Sequence, residues 1–318
     1  MKKYITAVLL CVLMLTAFVT GGCTDSPVQT QQWDVIATVF PAYDFARAVA
    51  GDLLQIKMLI SPGSEVHGFS PTLDDLAAVQ NCNLFIYSGG ETDTWADEQF
   101  RSGNLDTEQF TALAMTSCVE LKAIPAAIEE DMHDHEHDHA QTEDYDEHVW
   151  TSPENAVRIL KAICDELCRL YPEHEETFRS NAENYANQIT AQAQEIQKIV
   201  DNASNKMLVF EDRFPFVYFC EQFGLSHTSA FGGCAGNTEV SAATLNTLVK
   251  TVQNHNIPCV LYLEFSKMQT ADSIVAATGC TKREMHSYHN VTQEDFDNGV
   301  TYVDLMKRNT ETLKEALS

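Results

Sequence analysis

The residues most able to do chemistry here are histidines set among carboxylates. Glu129-Glu130-Asp131-Met132-His133-Asp134-His135-Glu136-His137-Asp138-His139 runs on through Glu143, Asp144, Asp146 and Glu147 to His148-Val149-Trp150. Such alternation cannot build a core, because every second residue is charged or strongly polar. It can hold a divalent metal such as zinc, loosely and in many interchangeable geometries. Two further positions are better aimed. His67 stands in Ser61-Pro62-Gly63-Ser64-Glu65-Val66-His67-Gly68-Phe69-Ser70-Pro71, a loop stiffened by Pro and Gly. His148 precedes Thr151-Ser152-Pro153 and a helix start. A single loop histidine is ordinarily solvated surface. Two in matching strand-to-helix loops, one beside a metal-attracting tract, point to ligands and to a chain that collects metal.

A hydrolytic reading fails on local structure. His135-Glu136-His137-Asp138-His139 formally spells H-E-x-x-H, but that motif needs a helix with an apolar inner face, and no apolar residue lies between Met132 and Ala140. The H-x-H-x-D-H spacing is missed too, since His137 stands where Asp is needed.

The elements that position these residues follow a strand-helix alternation. Residues 35–40 read as a strand, with a helix opened by Pro41 and ended before Gly51. Residues 53–60 and 84–87 are further strands, and Thr72 caps a helix with early acids. Ser152-Pro153-Glu154 caps another, with Ile159, Ile163, Leu167 and Leu170 at helical spacing. Residues 173–200 contain neither Gly nor Pro and carry one apolar stripe, Phe178, Ala182, Tyr185, Ile189, Ala193, Ile196 and Val200. A helix that long exceeds the width of one domain and reads as a rigid strut. Strands at 207–210, 258–263 and 283–286, with helices at 214–223, 241–252, 270–277 and 302–317, repeat the pattern. The expected fold class is α/β, two βα lobes with parallel sheets joined by a long rigid helix. The domain boundaries expected are a signal peptide (1–22), a lipidated tether (23–32), a first lobe (33–172) containing the His-rich loop 129–147, a linking helix (173–203) and a second lobe (204–318).

Compartment and partners follow from the ends and the charge. Lys2-Lys3, an apolar run at 5–19 and Thr20-Gly21-Gly22-Cys23 read as a secretory signal with Cys23 lipidated after cleavage. No other stretch is long and apolar enough to span a bilayer. The net charge of −26 argues against nucleic acid and suits an extracellular collector of cations. Setting aside Cys11 and Cys23 leaves eight cysteines whose pairing cannot be read from sequence, among them Cys234. Cys164 and Cys168 lie in an apolar stripe and read as buried thiols.

The segments Pro62-Gly63…His67…Ser70-Pro71, Leu84 to Gly90, and Glu147-His148-Val149-Trp150-Thr151-Ser152-Pro153-Glu154-Asn155-Ala156 resemble the solute-binding proteins of zinc or manganese ABC importers, the zinc cluster in particular. The His-rich loop, strut helix and terminal helix resemble that family too, so the likeness covers nearly the whole chain. It implies a metal-binding C-clamp that barely closes on its ligand, zinc as the transported ion, and an ABC permease as partner. It implies a monomer held by lipid at the outer face of a bacterial cell membrane. It gives ligand roles to His67 and His148. The second lobe departs from the pattern. The usual third His is replaced by Glu211-Asp212-Arg213-Phe214-Pro215-Phe216, and the usual terminal acid by His286-Ser287-Tyr288-His289-Asn290. The second lobe is therefore expected to supply His286 or His289, His286 aligning best, with Asp212, Glu239 and Glu264 as weaker oxygen donors. Three or four nitrogens with at most one carboxylate suit tetrahedral zinc, whereas manganese prefers more oxygen. A metal-storing or adhesive surface lipoprotein is the competing reading; it needs no rigid frame with inward histidines.

Overall fold

Short apolar runs form the strands, and each is followed by a helix that lies back on the sheet. The computed structural model describes residues 32–125, 128, 145–232 and 239–318. The expected signal peptide, Cys23 and its tether as far as residue 31, the tract at 129–144 and Cys234 lie outside the described residues.

The first lobe runs β1 (Val35–Ala37), α1 (Phe40–Ala50), β2 (Ile56–Met58), α2 (Leu73–Gln80), β3 (Leu84–Tyr87), α3 (Thr94–Ser102) and β4 (Thr111–Ala114). The strands pair in parallel in the order β2-β1-β3-β4. Both faces are covered, as a parallel sheet requires. Val35, Ala37, Leu84 and Ile86 join the main core, while Ile36 and Phe85 point the other way into a cluster with Trp95, Leu105 and Phe110. The Thr72 cap expected for α2 forms a reciprocal pair with Asp75. The first strand is shorter than its apolar run, because Phe40 already belongs to the helix that Pro41 opens.

Next come α4 (Pro153–Leu170), capped by Ser152, and α5 (Glu175–Asn202). With 28 residues α5 is ~42 Å long. Phe178, Ala182, Tyr185, Ile189, Ile196 and Val200 of its stripe are buried. It packs on α1 and α4 of the first lobe.

The second lobe runs β5 (Met207–Val209), α6 (Val217–Phe223), β6 (Ser226–Thr228), α7 (Ala242–Asn254), β7 (Cys259–Tyr262), α8 (Gln269–Thr278), β8 (Thr281–Glu284), α9 (Gln293–Asp297) and α10 (Tyr302–Ala316). β5 pairs with β6 and β7 with β8, all parallel. A parallel bridge from Phe210 to Leu261 joins the two pairs. The resulting order, β6-β5-β7-β8, repeats that of the first lobe. β8 stops at Glu284, two residues short of the expected 286, so His286 lies beyond the strand. The seven described cysteines are free, and Cys164 and Cys168 are buried with sulfurs 3.9 Å apart.

One buried carboxylate ties three helices together. Asp44 on α1 accepts hydrogen bonds from Arg47 Nε (2.7 Å), from the Tyr302 backbone N–H at the start of α10 (2.9 Å) and from the Tyr185 hydroxyl on α5. Burial pushes this carboxyl above its usual range, against the pull of Arg47 and the hydrogen bonds. Truncation would leave the Tyr185 O–H and the Tyr302 N–H buried without the acceptor they share. Asp44→Ala is expected to destabilise the fold by about 2–4 kcal/mol in urea unfolding, and a loss below about 1 kcal/mol would contradict this role.

Candidate metal centre

Three loops deliver the site, two of them directly after a strand. The first follows β2. Gly63 and Gly68 take φ of 77° and 84°, a left-handed backbone that lets the loop turn twice around His67. Val66 is buried and anchors it, and His67 Nδ1 is buried without a hydrogen-bond partner. The second loop precedes a single 3-10 turn, Val149–Thr151. There Asp146 Oδ1 accepts from the His148 backbone N–H at 2.8 Å and lies 2.9 Å from His148 Nδ1. An ionised carboxylate only accepts, so Nδ1 carries the proton and Nε2 keeps the lone pair a metal needs. The third loop follows β8. Tyr288 sits at φ 67°, a strained conformation for a bulky residue, and this bend directs His289 inward.

His67, His148 and His289 each offer a ligand atom within 4.8 Å of the others. The His289 ring lies 5.1 Å from the rings of both His67 and His148, nearly perpendicular to each. His286, the better-aligned candidate from sequence, is not part of this group. Its Nδ1 accepts the Tyr288 N–H at 2.9 Å, and Asn309 on α10 bonds both its backbone N–H and its carbonyl. The loop therefore presents the residue three positions later. The oxygen candidates stand aside as well. Glu264 accepts from the Ser287 N–H at 2.8 Å and from the Ser287 hydroxyl. Glu239 is exposed, and Asp212 is outside the triad. Sequence reasoning passed over Asp146 and Arg213. An acid two residues before a candidate ligand was the available signal for Asp146.

The triad lines a cavity of about 30 Å³ together with Glu65, Arg213, Glu264 and Asn290. That is room for an ion and one small companion, and for nothing larger. Burial lowers the His67 pKa to about 3, helped by His148 and Arg213. Burial, His148, His67 and Arg213 likewise hold His289 well below its ordinary value. Both imidazoles are thus neutral at physiological pH, the state that binds metal. Next to His148, burial raises Glu147 to about 7, while the Thr92 hydroxyl and N–H donate to its two oxygens. Gly90 is needed there, because a Cβ would come within 2.3 Å of Glu147 Cβ.

The Asp146–His148 pair gives a direct test. Asp146→Asn keeps the shape but lets the imidazole adopt the wrong tautomer. Metal affinity is expected to fall about 10–100-fold in competitive titration with the far-ultraviolet spectrum unchanged. An unaltered affinity would remove Asp146 from this role.

Comparison with known proteins places this geometry. A family model described as ZnuA, zinc-uptake complex component A, periplasmic, matches residues 35–316. Zinc-binding lipoprotein AdcA of Streptococcus pneumoniae is 27% identical over 307 residues, 96% of this chain but 59% of that protein. The chain thus spans well under two thirds of that relative's length. High-affinity zinc uptake system protein ZnuA of Bacillus subtilis is 27% identical over 301 residues, 94% of this chain and 91% of that one. Among solved structures, the Zn(II)-bound ZnuA-like domain of S. pneumoniae AdcA matches with a TM-score of 0.73 and 24% identity, covering 90% of this chain and 99% of that one. The laminin-binding protein Lmb of Streptococcus agalactiae, described as having adhesin and metal transporting activity, matches with a TM-score of 0.74 and 21% identity over 90% and 100%. At these identities the structural likeness is one of fold. With the family match running almost from β1 to the end of α10, the chain belongs to the ZnuA family, the periplasmic component A of zinc-uptake complexes.

Proposed function

We propose that this chain captures a zinc ion outside the cytoplasmic membrane and delivers it to an ABC import permease, with His67, His148 and His289 as its ligands. The observation that carries the reading is the meeting of three imidazoles from both lobes in a cavity sized for one ion. Nitrogen-only donors favour zinc over manganese, and family membership agrees. The chemistry is binding, so the zinc is cargo and the chain is a carrier without catalytic turnover. In the same reading Cys23 carries the lipid that holds a monomeric carrier at the membrane surface. The tract from His133 to His139 raises the local metal concentration without belonging to the tight site. Storage would call for many similar sites, whereas this frame prepares one. The fold shared with Lmb keeps adhesion as a second activity to test by laminin binding.

Titration tests the ligand set. Alanine at His67, His148 or His289 is expected to weaken zinc binding about a hundredfold or more, whereas His286→Ala leaves it nearly unchanged. If His286→Ala proves as damaging as the others, the triad is misassigned. The tract is tested separately. Deleting residues 131–140 is expected to remove weak extra equivalents and leave one tight site, and loss of the tight site would refute the division of labour.

Acidity should separate the two kinds of site. A lowered folded pKa means that protons compete less with the metal, and His67 is held down to about 3. Tract imidazoles that titrate at the ordinary ~6.5 would take up protons first. Between pH 6.5 and 5 the weak equivalents are expected to vanish while the tight one persists. Simultaneous loss would count against the buried triad as the tight site.

A further inference from the structure

Arg213 is out of place for a plain cation site. It occupies the segment where the family's usual pattern has a histidine, and it lines the same small cavity as the three imidazoles. Its side chain is only 16% exposed, and its nearest carboxylate, Glu65, is 3.8 Å away. Among the described residues the guanidinium makes no hydrogen bond, although it has five donors to place. A dication held by His67, His148 and His289 would bring a second positive charge into this cavity, and the two would repel at low dielectric.

Among the described residues no carboxylate joins the cluster of three imidazole donors, and the neighbouring ones are each held by hydrogen bonds. Both oxygens of Glu264 are engaged by Ser287, and both oxygens of Glu147 by Thr92. Asp146 Oδ1 is taken by His148, which orients that carboxylate, while its Oδ2 is buried without a hydrogen-bond partner. Glu65 Oε1 accepts from the Val66 N–H at 3.1 Å. Tetrahedral zinc with three nitrogens still lacks one donor. An anion between the metal and the guanidinium would complete the shell and offset the repulsion at once.

We propose that the metal is taken up together with a small exogenous monoanion of halide size, which fills its fourth position and is held on the other side by Arg213. This rests on the three-histidine reading above. The cavity volume of about 30 Å³ sets the size limit: it admits an ion and a halide-sized partner, and excludes a bulky chelator. The cargo would then be a metal-anion pair whose joint charge is one unit lower than that of the bare dication. Arg213, rather than a protein carboxylate, would set how tightly that pair is held.

Bromide is the probe. Zinc affinity of the purified chain is measured at constant ionic strength as nitrate is replaced by bromide, and zinc-edge X-ray absorption reads the ligand shell. The expected result is three nitrogens and one bromide, with affinity rising on the order of tenfold per tenfold bromide before saturation. Arg213→Gln should abolish the halide dependence and the bromide signal, and Arg213→Lys should retain part of both. A shell completed by oxygen or sulfur, with affinity independent of bromide, overturns the proposal. His289→Ala separates the two levels of failure. If it binds zinc as tightly as wild type, the three-histidine site itself is wrong. If it loses zinc while bromide has no effect on the wild type, only the anion inference fails.

Discussion

A turn of the second lobe, from Ser287 to Val291, is hydrogen-bonded to the first lobe along its length, and the centre depends on those bonds. Asn290 Nδ2 donates to the carbonyls of Ser61 and Ser64, both at 2.9 Å, and the Gly63 N–H donates to Val291 O at 2.7 Å. The Phe40 N–H at the start of α1 reaches His289 O, and the Trp150 indole N–H reaches Ser287 O at 3.0 Å. Every one of these is a bond between lobes, and all but that of Phe40 are made to the loops that also carry His67 and His148. The third imidazole therefore arrives already in register with the other two. The ordering cost of bringing the three imidazoles together is met by folding. The strut α5 and the Asp44 junction extend the same rigidity to the far side of the molecule.

The electrostatics are layered in the opposite sense to the chain's overall charge. The chain as a whole carries a net charge of −26, yet the innermost groups of the centre are imidazoles with a guanidinium beside them. Carboxylates stand one layer out, each fastened by hydrogen bonds: Asp146 to His148, Glu147 to Thr92, Glu264 to Ser287. Their work is to fix loops and set a tautomer. An acidic chain attracts cations at long range, and imidazole donors suit those that prefer nitrogen.

Much of the frame was legible because it rests on local rules. The Thr72 and Ser152 caps, the Gly279 stop and the stripe from Phe178 to Val200 all occupy the places their types demand. The strands Thr111–Ala114 and Ser226–Thr228 were missed because small or polar residues give no strand signal; pairing to a neighbour makes them strands. Among the site residues, His67 and His148 sit in stiff loops that sequence can see. The choice between His286 and His289 could not be read, because it turns on where β8 stops and on the left-handed bend at Tyr288. Asn309, a residue on a distant helix, holds that bend through the Tyr288 hydroxyl and the His286 backbone. Nothing local to the loop encodes that partner.

The three imidazoles are not equally sheltered. His148 and His289 are buried at 1% and 5% exposure, whereas His67 is only half-buried, at the outer edge of the centre. If the three imidazoles hold an ion as proposed above, its approach to solvent would be one-sided: His67 would be the ligand that water or a docking partner meets first, with the other two behind it. Loading and unloading would then share a single face, and neither would require the lobes to part.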